Sequence, residues 1–195
     1  MITMRTRLEK ISKFLALVLR HKPDAAGITL DKHGWADVNE LVRGIRRTKD
    51  PTFTHDDLTL IVVTDSKGRY SFDESGKRIR ANQGHSVTVD VELEEIEPPL
   101  LLYHGTATKY MNNIEAEGLI PKSRLYVHLS DNVKTATDVG SRHGQPVVYT
   151  IYAHKMFNDG FKFYRSVNGV WLTKNVPTSY FGNRIFHSNE CEDTE

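Results

Sequence analysis

Hydrophobic positions in the first half of the chain recur with helical spacing in three places. Residues 6–20 place five apolar side chains on one stripe, and Pro23 ends the run. Two further helices are predicted at Asp37 and Thr54, because each stands three residues before an acidic residue and opens an apolar run, as in a capping box. The short apolar stretch at residues 28–30 is interpreted as a strand.

A hairpin is predicted after these helices. Arg69–Phe72 alternates as a strand, Asp73–Gly76 consists of turn-forming residues, and Lys77–Ala81 is the returning strand. Basic residues occupy both arms. Helices followed by a basic hairpin indicate a winged-helix-like module.

The second half is richer in predicted strands. Leu100–Tyr103 has the pattern of a buried strand, and we expect it to end in a polar turn formed by His104-Gly105-Thr106. A helix should follow and end at Gly118. A strand, a polar turn and a helix in this order favour ligand binding at the turn.

The chain is therefore predicted to be an α+β protein with two lobes. Three more strands are expected, at residues 125–130, 147–153 and 169–173. A helix capped by Ser130 or Asp131 should follow the first of them. The predicted divisions are a winged-helix-like lobe at 1–90, an acidic linker or edge strand at 91–99, a strand-rich lobe at 100–180 and a tail at 181–195.

Composition excludes several classes of protein. The chain has 195 residues, of which 38% are hydrophobic and 26% charged, as is ordinary for a globular protein. It contains neither an apolar run of roughly 18 residues nor a signal-peptide core, so we expect a cytoplasmic protein without a membrane segment. The single cysteine, Cys191, lies in an acidic segment and supports neither a disulfide framework nor a catalytic thiolate. The nine histidines lack ligand spacing, so no metal is expected.

Charge is distributed unevenly, although the net charge is only +1. Residues 1–90 contain 16 Lys and Arg against 12 Asp and Glu, whereas residues 91–195 contain 10 against 13. Only the first half has the positive excess expected of a lobe that meets a polyanion. An excess of this size also falls within normal variation, so it counts only together with motifs.

Three arginines and a histidine are candidates for binding a phosphate. Arg20 and His21 stand at the end of the first predicted helix, where the helix dipole alone would stabilise cations. Arg69 on the hairpin and Arg124 before a strand could each be a solvated surface cation. Together they match a phosphate monoester, which favours several guanidinium donors and an imidazolium. The polar segment Arg78–Ser86 adds amides, an imidazole and a hydroxyl.

Polar residues of the second half suit a nucleotide. His104 and His128 each interrupt or end an apolar strand, where a half-buried structural histidine is the ordinary interpretation. Beside them, Gly105 permits close backbone approach, and Thr106 and Ser130 offer hydroxyls and helix-entry amides. The chain has no G-x-G-x-x-G or Walker sequence, so an ordinary Rossmann or P-loop site is not supported.

These segments together resemble the RNA 2′-phosphotransferase family of the KptA type, the NAD-dependent tRNA 2′-phosphotransferases. The resemblance covers most of the chain in the family's order. The main matching segments are Leu19-Arg20-His21-Lys22-Pro23, Gly34-Trp35-Ala36-Asp37, Ile79 to Ser86, Leu102 to Thr106, Arg124 to Ser130, Arg142-His143-Gly144 and Gly169 to Thr173. One departure is Gly68-Arg69-Tyr70, where the family often has Lys-Arg-Phe.

The resemblance implies a winged-helix RNA lobe followed by a lobe with the ADP-ribosyltransferase fold that binds NAD. The family's essential Arg-His-Arg-Arg set corresponds to Arg20, His21, Arg69 and Arg124. The residues expected to bind the RNA phosphate are Arg20, His21, Arg69, Asn82, Gln83, His85 and Ser86. The residues expected to bind NAD are His104, Gly105, Thr106, His128, Leu129, Ser130, Arg142 and His143.

The implied reaction consumes NAD as a co-substrate. The RNA 2′-phosphate displaces nicotinamide to give a 2′-phospho-ADP-ribosyl RNA. The ribose 2″-OH then attacks that phosphate, releasing 2′-OH RNA and ADP-ribose 1″,2″-cyclic phosphate. Both steps concentrate charge on phosphorus, so fixed cations should do most of the catalytic work. The expected partners are NAD and an RNA bearing a 2′-phosphate, with the protein acting as a monomer.

Two other functions remain open from the sequence. An NAD-dependent ADP-ribosyltransferase acting on terminal phosphates of nucleic acids would need the same NAD pocket and the same cations. A winged-helix regulator that senses a nucleotide would need a base-reading helix, but residues 55–65 carry acids at both ends, which would repel a phosphate backbone. The sequence therefore favours the enzyme over the regulator.

Overall fold

The computed structural model describes residues 4–186, and the chain divides into two compact units. The first unit runs to Leu93 and also includes Ser123–Leu125 and Ser166–Asn168. The second unit consists of Glu94–Lys122, Tyr126–Arg165 and the residues from Gly169 onward. The change of unit thus falls inside the acidic segment of residues 91–99, and two short segments of the second half belong to the first unit.

Three helices build the first unit, and two of them begin as the sequence predicts. They are α1 (Met4–Arg20), α2 (Val38–Thr48) and α3 (His55–Val63), with a 3₁₀ turn at Pro23–Ala26. The Asp37 side chain accepts from the backbone N–H of Glu40 at the start of α2, and Thr54 and Asp57 form a full capping box at α3. The apolar faces of the three helices meet in one core, which includes Leu15, Leu19, Leu41, Ile45 and Leu58.

A small antiparallel sheet completes the first unit. Its strands are β1 (Ala36–Asp37), β2 (Tyr70–Phe72) and β3 (Arg78–Ala81), in the order β1-β3-β2. The predicted hairpin is confirmed, with Tyr70 opposite Ala81. The predicted strand at residues 28–30 is wrong, because these residues pair with no strand. Ile28 is nevertheless buried in the core, so the apolar stretch reflects burial without sheet pairing.

Two antiparallel sheets form the second unit. One has the order β4-β6-β9 and the other β5-β8-β7. The strands are β4 (Leu102–Ala107), β5 (Val127–Leu129), β6 (Pro146–Ile151), β7 (Phe163–Arg165), β8 (Trp171–Thr173) and β9 (Phe181–Phe186). The helices are α4 (Met111–Glu117), α5 (Val133–Gly140) and α6 (Ala153–Asn158), with 3₁₀ turns at Thr108–Tyr110 and Thr178–Tyr180. A bridge between Tyr103 and Ser130 joins β4 to the end of β5.

Several predictions for this half need correction. His104-Gly105-Thr106 is not a turn after a strand but the middle of β4, hydrogen-bonded to β6. The cap of α5 is Asn132, whose side chain accepts from the N–H of Thr135, and not Ser130 or Asp131. The predicted tail begins with a strand, since Phe181–Phe186 pairs with β6. Residues 187–195, including Cys191, lie outside the described residues. The sequence did not predict β7 or α6.

Helix α5 packs on β4 through two glycines. A Cβ built on Gly105 would lie 1.6 Å from the backbone oxygen of Ala136, and one on Gly140 would lie 2.6 Å from the backbone oxygen of Thr106. Helix and strand backbones therefore touch directly at these positions. The structure explains Gly105 by this packing, whereas the sequence interpretation invoked close approach of a ligand.

The fold class is α+β, as predicted, with antiparallel pairing in all three sheets of the described residues. Among the helices described, none combines the length and apolar character needed to span a bilayer.

Candidate functional site

A cluster of cations in the first unit is centred on Arg20, the last residue of α1. The Arg20 side chain packs against Gly84, where an added Cβ would lie 3.6 Å from Nη1. Its Nε and Nη2 are buried and have no hydrogen-bond partner among the described residues. Burial lowers the pKa of Arg20, and the charges of Arg69 and Arg124 lower it further. Buried cationic donors without acceptors are costly, so this arrangement favours an anion as the acceptor.

His21 and Arg124 belong to the same cluster. His21 Nδ1 lies 2.9 Å from Ser86 Oγ, and the Ser86 backbone N–H donates to the Arg20 oxygen at 2.9 Å. The N–H of Leu125 donates to the His85 oxygen, which fixes Arg124 beside this segment. Burial lowers the pKa of His21, and Arg20 and Arg124 add to the effect.

The position of Arg124 corrects one prediction. The sequence placed this residue in the strand-rich lobe at residues 100–180, but Ser123–Leu125 packs with the first unit. The three arginines and the histidine expected from the family resemblance therefore lie in one unit, and the charges of both Arg69 and Arg124 act on Arg20.

Arg69 is held by a carboxylate that the sequence interpretation did not consider. Arg69 Nη1 donates to Asp65 Oδ1 at 2.6 Å, and the Arg69 backbone N–H donates to Asp65 Oδ2 at 2.6 Å. Asn82 Nδ2 donates to the Gly68 oxygen at 2.7 Å, and the Asn82 N–H donates to the Arg69 oxygen. Asn82, predicted to bind phosphate, thus also supports the turn that carries Arg69. The spacing of Asp65 four residues before Arg69 was the signal available in the sequence.

His85 is a buried neutral imidazole in this cluster. It is 2% exposed, and its Nε2 has no hydrogen-bond partner among the described residues. Burial lowers the pKa of His85 to about 4, with smaller contributions from Arg20, His21 and Arg80. Gln83 is half-buried in the same segment. At neutral pH the positive charge of the cluster therefore comes from the arginines and not from His85.

We expect the free energy of unfolding to fall as the pH is lowered from 6.5 to 4. In that range the unfolded chain protonates His85, whose ordinary pKa is 6.5, whereas the folded protein does not, so its contribution is complete above 6.5 and lost toward 4. The contribution amounts to about 3 kcal/mol. Urea unfolding across this range measures it. His85→Gln should flatten the dependence, and His55→Gln at an exposed position should not. Parallel curves for His85→Gln and the unchanged protein would contradict the assignment.

The polar residues predicted to bind NAD lie in the second unit, around β4 and β5. His104 Nδ1 lies 3.0 Å from the backbone oxygen of His128. Since a carbonyl oxygen only accepts, Nδ1 carries the proton, and Nε2 is the acceptor in the neutral ring. Tyr103 and Ser130 exchange two backbone hydrogen bonds of 2.8 Å. The structure therefore brings together His104, His128 and Ser130.

Other members of the predicted NAD set are placed differently. The side chains of Thr106 and Leu129 are buried, and Leu129 is part of the hydrophobic core. Arg142 and His143 are exposed in the loop after α5. That loop lies near the end of β4, since the Thr108 N–H donates to the Gln145 oxygen and a Cβ on Gly144 would lie 3.4 Å from Ala107.

No group of three or more His, Cys, Asp or Glu residues within the described part of the chain is arranged to hold a metal ion.

Comparisons with known proteins agree on one family. The sequence model of the RNA 2′-phosphotransferase, Tpt1 / KptA family matches residues 6–175. A protein of Acaryochloris marina is 46% identical over 91% of this chain and 98% of its own length. A protein of Nostoc punctiforme is 50% identical over 90% of this chain and 96% of its own, and one of Flavobacterium johnsoniae is 48% identical over 88% and 94%. Each carries the name "Probable RNA 2′-phosphotransferase". This chain therefore belongs to the RNA 2′-phosphotransferase, Tpt1 / KptA family, and it is a transferase.

Proposed function

We propose that the chain removes an internal 2′-phosphate from RNA, of the kind left at a tRNA splice junction, by transferring it to NAD. The products are 2′-OH RNA, ADP-ribose 1″,2″-cyclic phosphate and nicotinamide, formed through a 2′-phospho-ADP-ribosyl RNA. The proposal rests on Arg20: within residues 4–186 its buried Nε and Nη2 have no acceptor, and the charges of Arg69 and Arg124 act on the same guanidinium.

The cation cluster suits a phosphate monoester better than a general nucleic-acid backbone. The charges of Arg69 and Arg124 both act on the buried Arg20 guanidinium, whereas backbone binding uses cations spread along a surface. Forked donors match the several oxygens of a dianion, and burial strengthens each hydrogen bond. We assign the phosphorylated RNA to the first unit, as a winged-helix-like RNA lobe.

The second unit is assigned to NAD. In support, His104 lies on β4 and His128 on β5, and Ser130 directly follows β5, which brings imidazoles and a hydroxyl together in this unit. Arg142 and His143 follow α5 close to the end of β4, where they could receive a phosphate of the dinucleotide. The ADP-ribosyltransferase fold is part of this proposal, and NAD would be consumed as a substrate.

Arg20, Arg69 and Arg124 would act mainly by charge. In the first step an anionic phosphate attacks a carbon that becomes cationic, so no general base is required. In the second step the ribose 2″-OH attacks a phosphodiester that carries negative charge itself. Cations fixed on the phosphoryl oxygens offset the growing charge in the transition state more than in the ground state, which lowers the barrier.

The proposal is tested by incubating the protein with NAD and an RNA that bears one internal 2′-phosphate. We expect 2′-OH RNA, nicotinamide and the cyclic phosphate in equal amounts. An RNA with a 5′-terminal phosphate serves as a second substrate. Modification of the terminal phosphate without removal of the 2′-phosphate would replace the proposed function by terminal ADP-ribosylation, and product formation without NAD would exclude NAD as the acceptor.

Arg124→Ala should slow the second step more than the first. The first step needs only a bound phosphate and a leaving nicotinamide, whereas the second needs a cation at the phosphoryl oxygens. Because Arg124 lies beside Arg20 and His21, some loss of RNA affinity is expected as well. A single-turnover gel should show 2′-phospho-ADP-ribosyl RNA accumulating. If nicotinamide release and the intermediate decline together without accumulation, this role of Arg124 is wrong.

A further inference from the structure

Asp65 is a buried carboxylate within the cation cluster. Its side chain is 5% exposed. Both carboxylate oxygens are used on Arg69, one by the guanidinium and the other by the backbone N–H, each at 2.6 Å. The Asp65 backbone oxygen also accepts from the N–H of Gly68 at 2.8 Å. A carboxylate is buried only when such bonds offset its lost hydration, so these contacts define its position.

Hydrogen bonds to four backbone carbonyls hold the turn from Asp65 to Arg69, and one of them, within the turn, is the Gly68 N–H to the Asp65 oxygen. Asn168 Nδ2 donates to the Lys67 oxygen at 2.9 Å, and Asn82 donates to the oxygens of Gly68 and Arg69. Gly68 adopts a φ of +52°, and a Cβ there would also lie 3.2 Å from the Asn168 side chain. The backbone of Arg69 is therefore set by the turn, and its guanidinium by Asp65.

Orientation matters here because the guanidinium groups repel one another. Arg69 and Arg124 both act unfavourably on the charge of Arg20, whereas Asp65 acts favourably. Without a fixed partner, a long arginine side chain would swing away from like charges into solvent. The bond to Asp65 fixes the Arg69 guanidinium in place of that movement. It uses Nη1 alone, and a guanidinium has five N–H donors, so the others remain available.

From these contacts we infer that Asp65 is a positioning residue, which holds the Arg69 guanidinium toward the 2′-phosphate of the RNA. The inference rests on the proposed function, because it concerns the phosphate that the cluster binds. An alternative role for the same carboxylate is simple neutralisation of excess positive charge, and a third is fold stability alone. The three roles predict different changes in RNA selectivity.

The test compares affinities for two RNAs of one sequence, with and without an internal 2′-phosphate. In Asp65→Asn the side chain keeps its shape and loses its charge. We expect the preference for the phosphorylated RNA to fall about tenfold, which is about 1.4 kcal/mol, with affinity for the unphosphorylated RNA and for NAD unchanged. In an Arg69→Ala background the same substitution should have no further effect on the preference, because the group that it positions is gone.

Asp57→Asn is the matched control, since Asp57 is another largely buried aspartate of the first unit paired with an arginine, Arg7, at 2.9 Å. It should lower the thermal midpoint without changing the preference. If Asp65→Asn behaves like this control, Asp65 is only structural. If it strengthens binding of both RNAs equally, Asp65 only neutralises charge. Either result overturns the inference and leaves the proposed function standing. If the unchanged protein does not prefer the 2′-phosphorylated RNA, both the proposed function and the inference are wrong.

Discussion

Arg20→Ala should abolish most of the preference for 2′-phosphorylated RNA while leaving the protein at least as stable as before. The lost interactions are charge-assisted hydrogen bonds. One such bond is worth about 1.5–3 kcal/mol, so affinity for the phosphorylated RNA should fall by at least roughly tenfold to a hundredfold. Stability should not fall, because the substitution removes a buried cation whose Nε and Nη2 have no partner in the part of the chain that the structure describes, and which Arg69 and Arg124 repel.

Affinities for two RNAs of one sequence, with and without the 2′-phosphate, check the loss of preference. Thermal unfolding checks the expected stability. Arg43→Ala is the control, since it removes the same charge from an exposed position on α2. It should weaken binding of both RNAs slightly and equally. An Arg20→Ala protein that loses affinity for both RNAs alike would show that Arg20 contacts the RNA backbone in general. A marked loss of stability would show that the guanidinium supports the fold.

Gly105→Ala should destabilise the second unit severely. The new Cβ would lie 1.6 Å from the Ala136 backbone oxygen, and neither the β4 ladder nor the helix backbone can yield that much locally. Helix α5 would have to move off the sheet, at a cost of about 3 kcal/mol or more. The expected result is a large fall in the free energy of unfolding measured in urea.

Gly160→Ala is the matched control in the same unit. A Cβ at Gly160 meets nothing within 4 Å, but the residue has a φ of +92°. The free energy of unfolding of Gly160→Ala should fall by only about 1 kcal/mol, the cost of placing alanine in a backbone conformation that favours glycine. Equal losses for the two variants would mean that α5 does not pack on β4 as described. Because both unfolding measurements are made without NAD, they test the packing role of Gly105 independently of any role in ligand binding.

Local signals in the sequence predicted the elements that depend on neighbours in the chain. The caps at Asp37 and Thr54 were found because capping involves residues three apart. The hairpin carrying Arg69 was found because its turn has characteristic residues. Arg20, His21 and Arg69 could be proposed from local context and the family resemblance. Their mutual influence depends on the fold, and only the structure reveals it.

The missed features depend on contacts between distant residues. His104-Gly105-Thr106 is polar or small, so nothing local indicates that β6 pairs with it along the strand. The strand Phe181–Phe186 has a glycine, an asparagine and an arginine in its middle, and its pairing with β6 comes from tertiary structure. Arg124 lies before a strand of the second unit, and its place in the first unit depends on tertiary contacts such as the hydrogen bond from the next residue, Leu125, to the His85 oxygen.

The first unit includes segments that are far apart in the chain, and this affects when it can be completed during translation. Arg124 and Asn168 both belong to that unit, although its core helices end by Val63. When only the first 93 residues have emerged from the ribosome, the three helices and the hairpin are present. Arg124 and Asn168, whose side-chain amide donates to the Lys67 oxygen, are still missing. The nascent helices can pack early, since domains tend to fold as they emerge. The complete set of cations, however, assembles only after most of the chain has been synthesised.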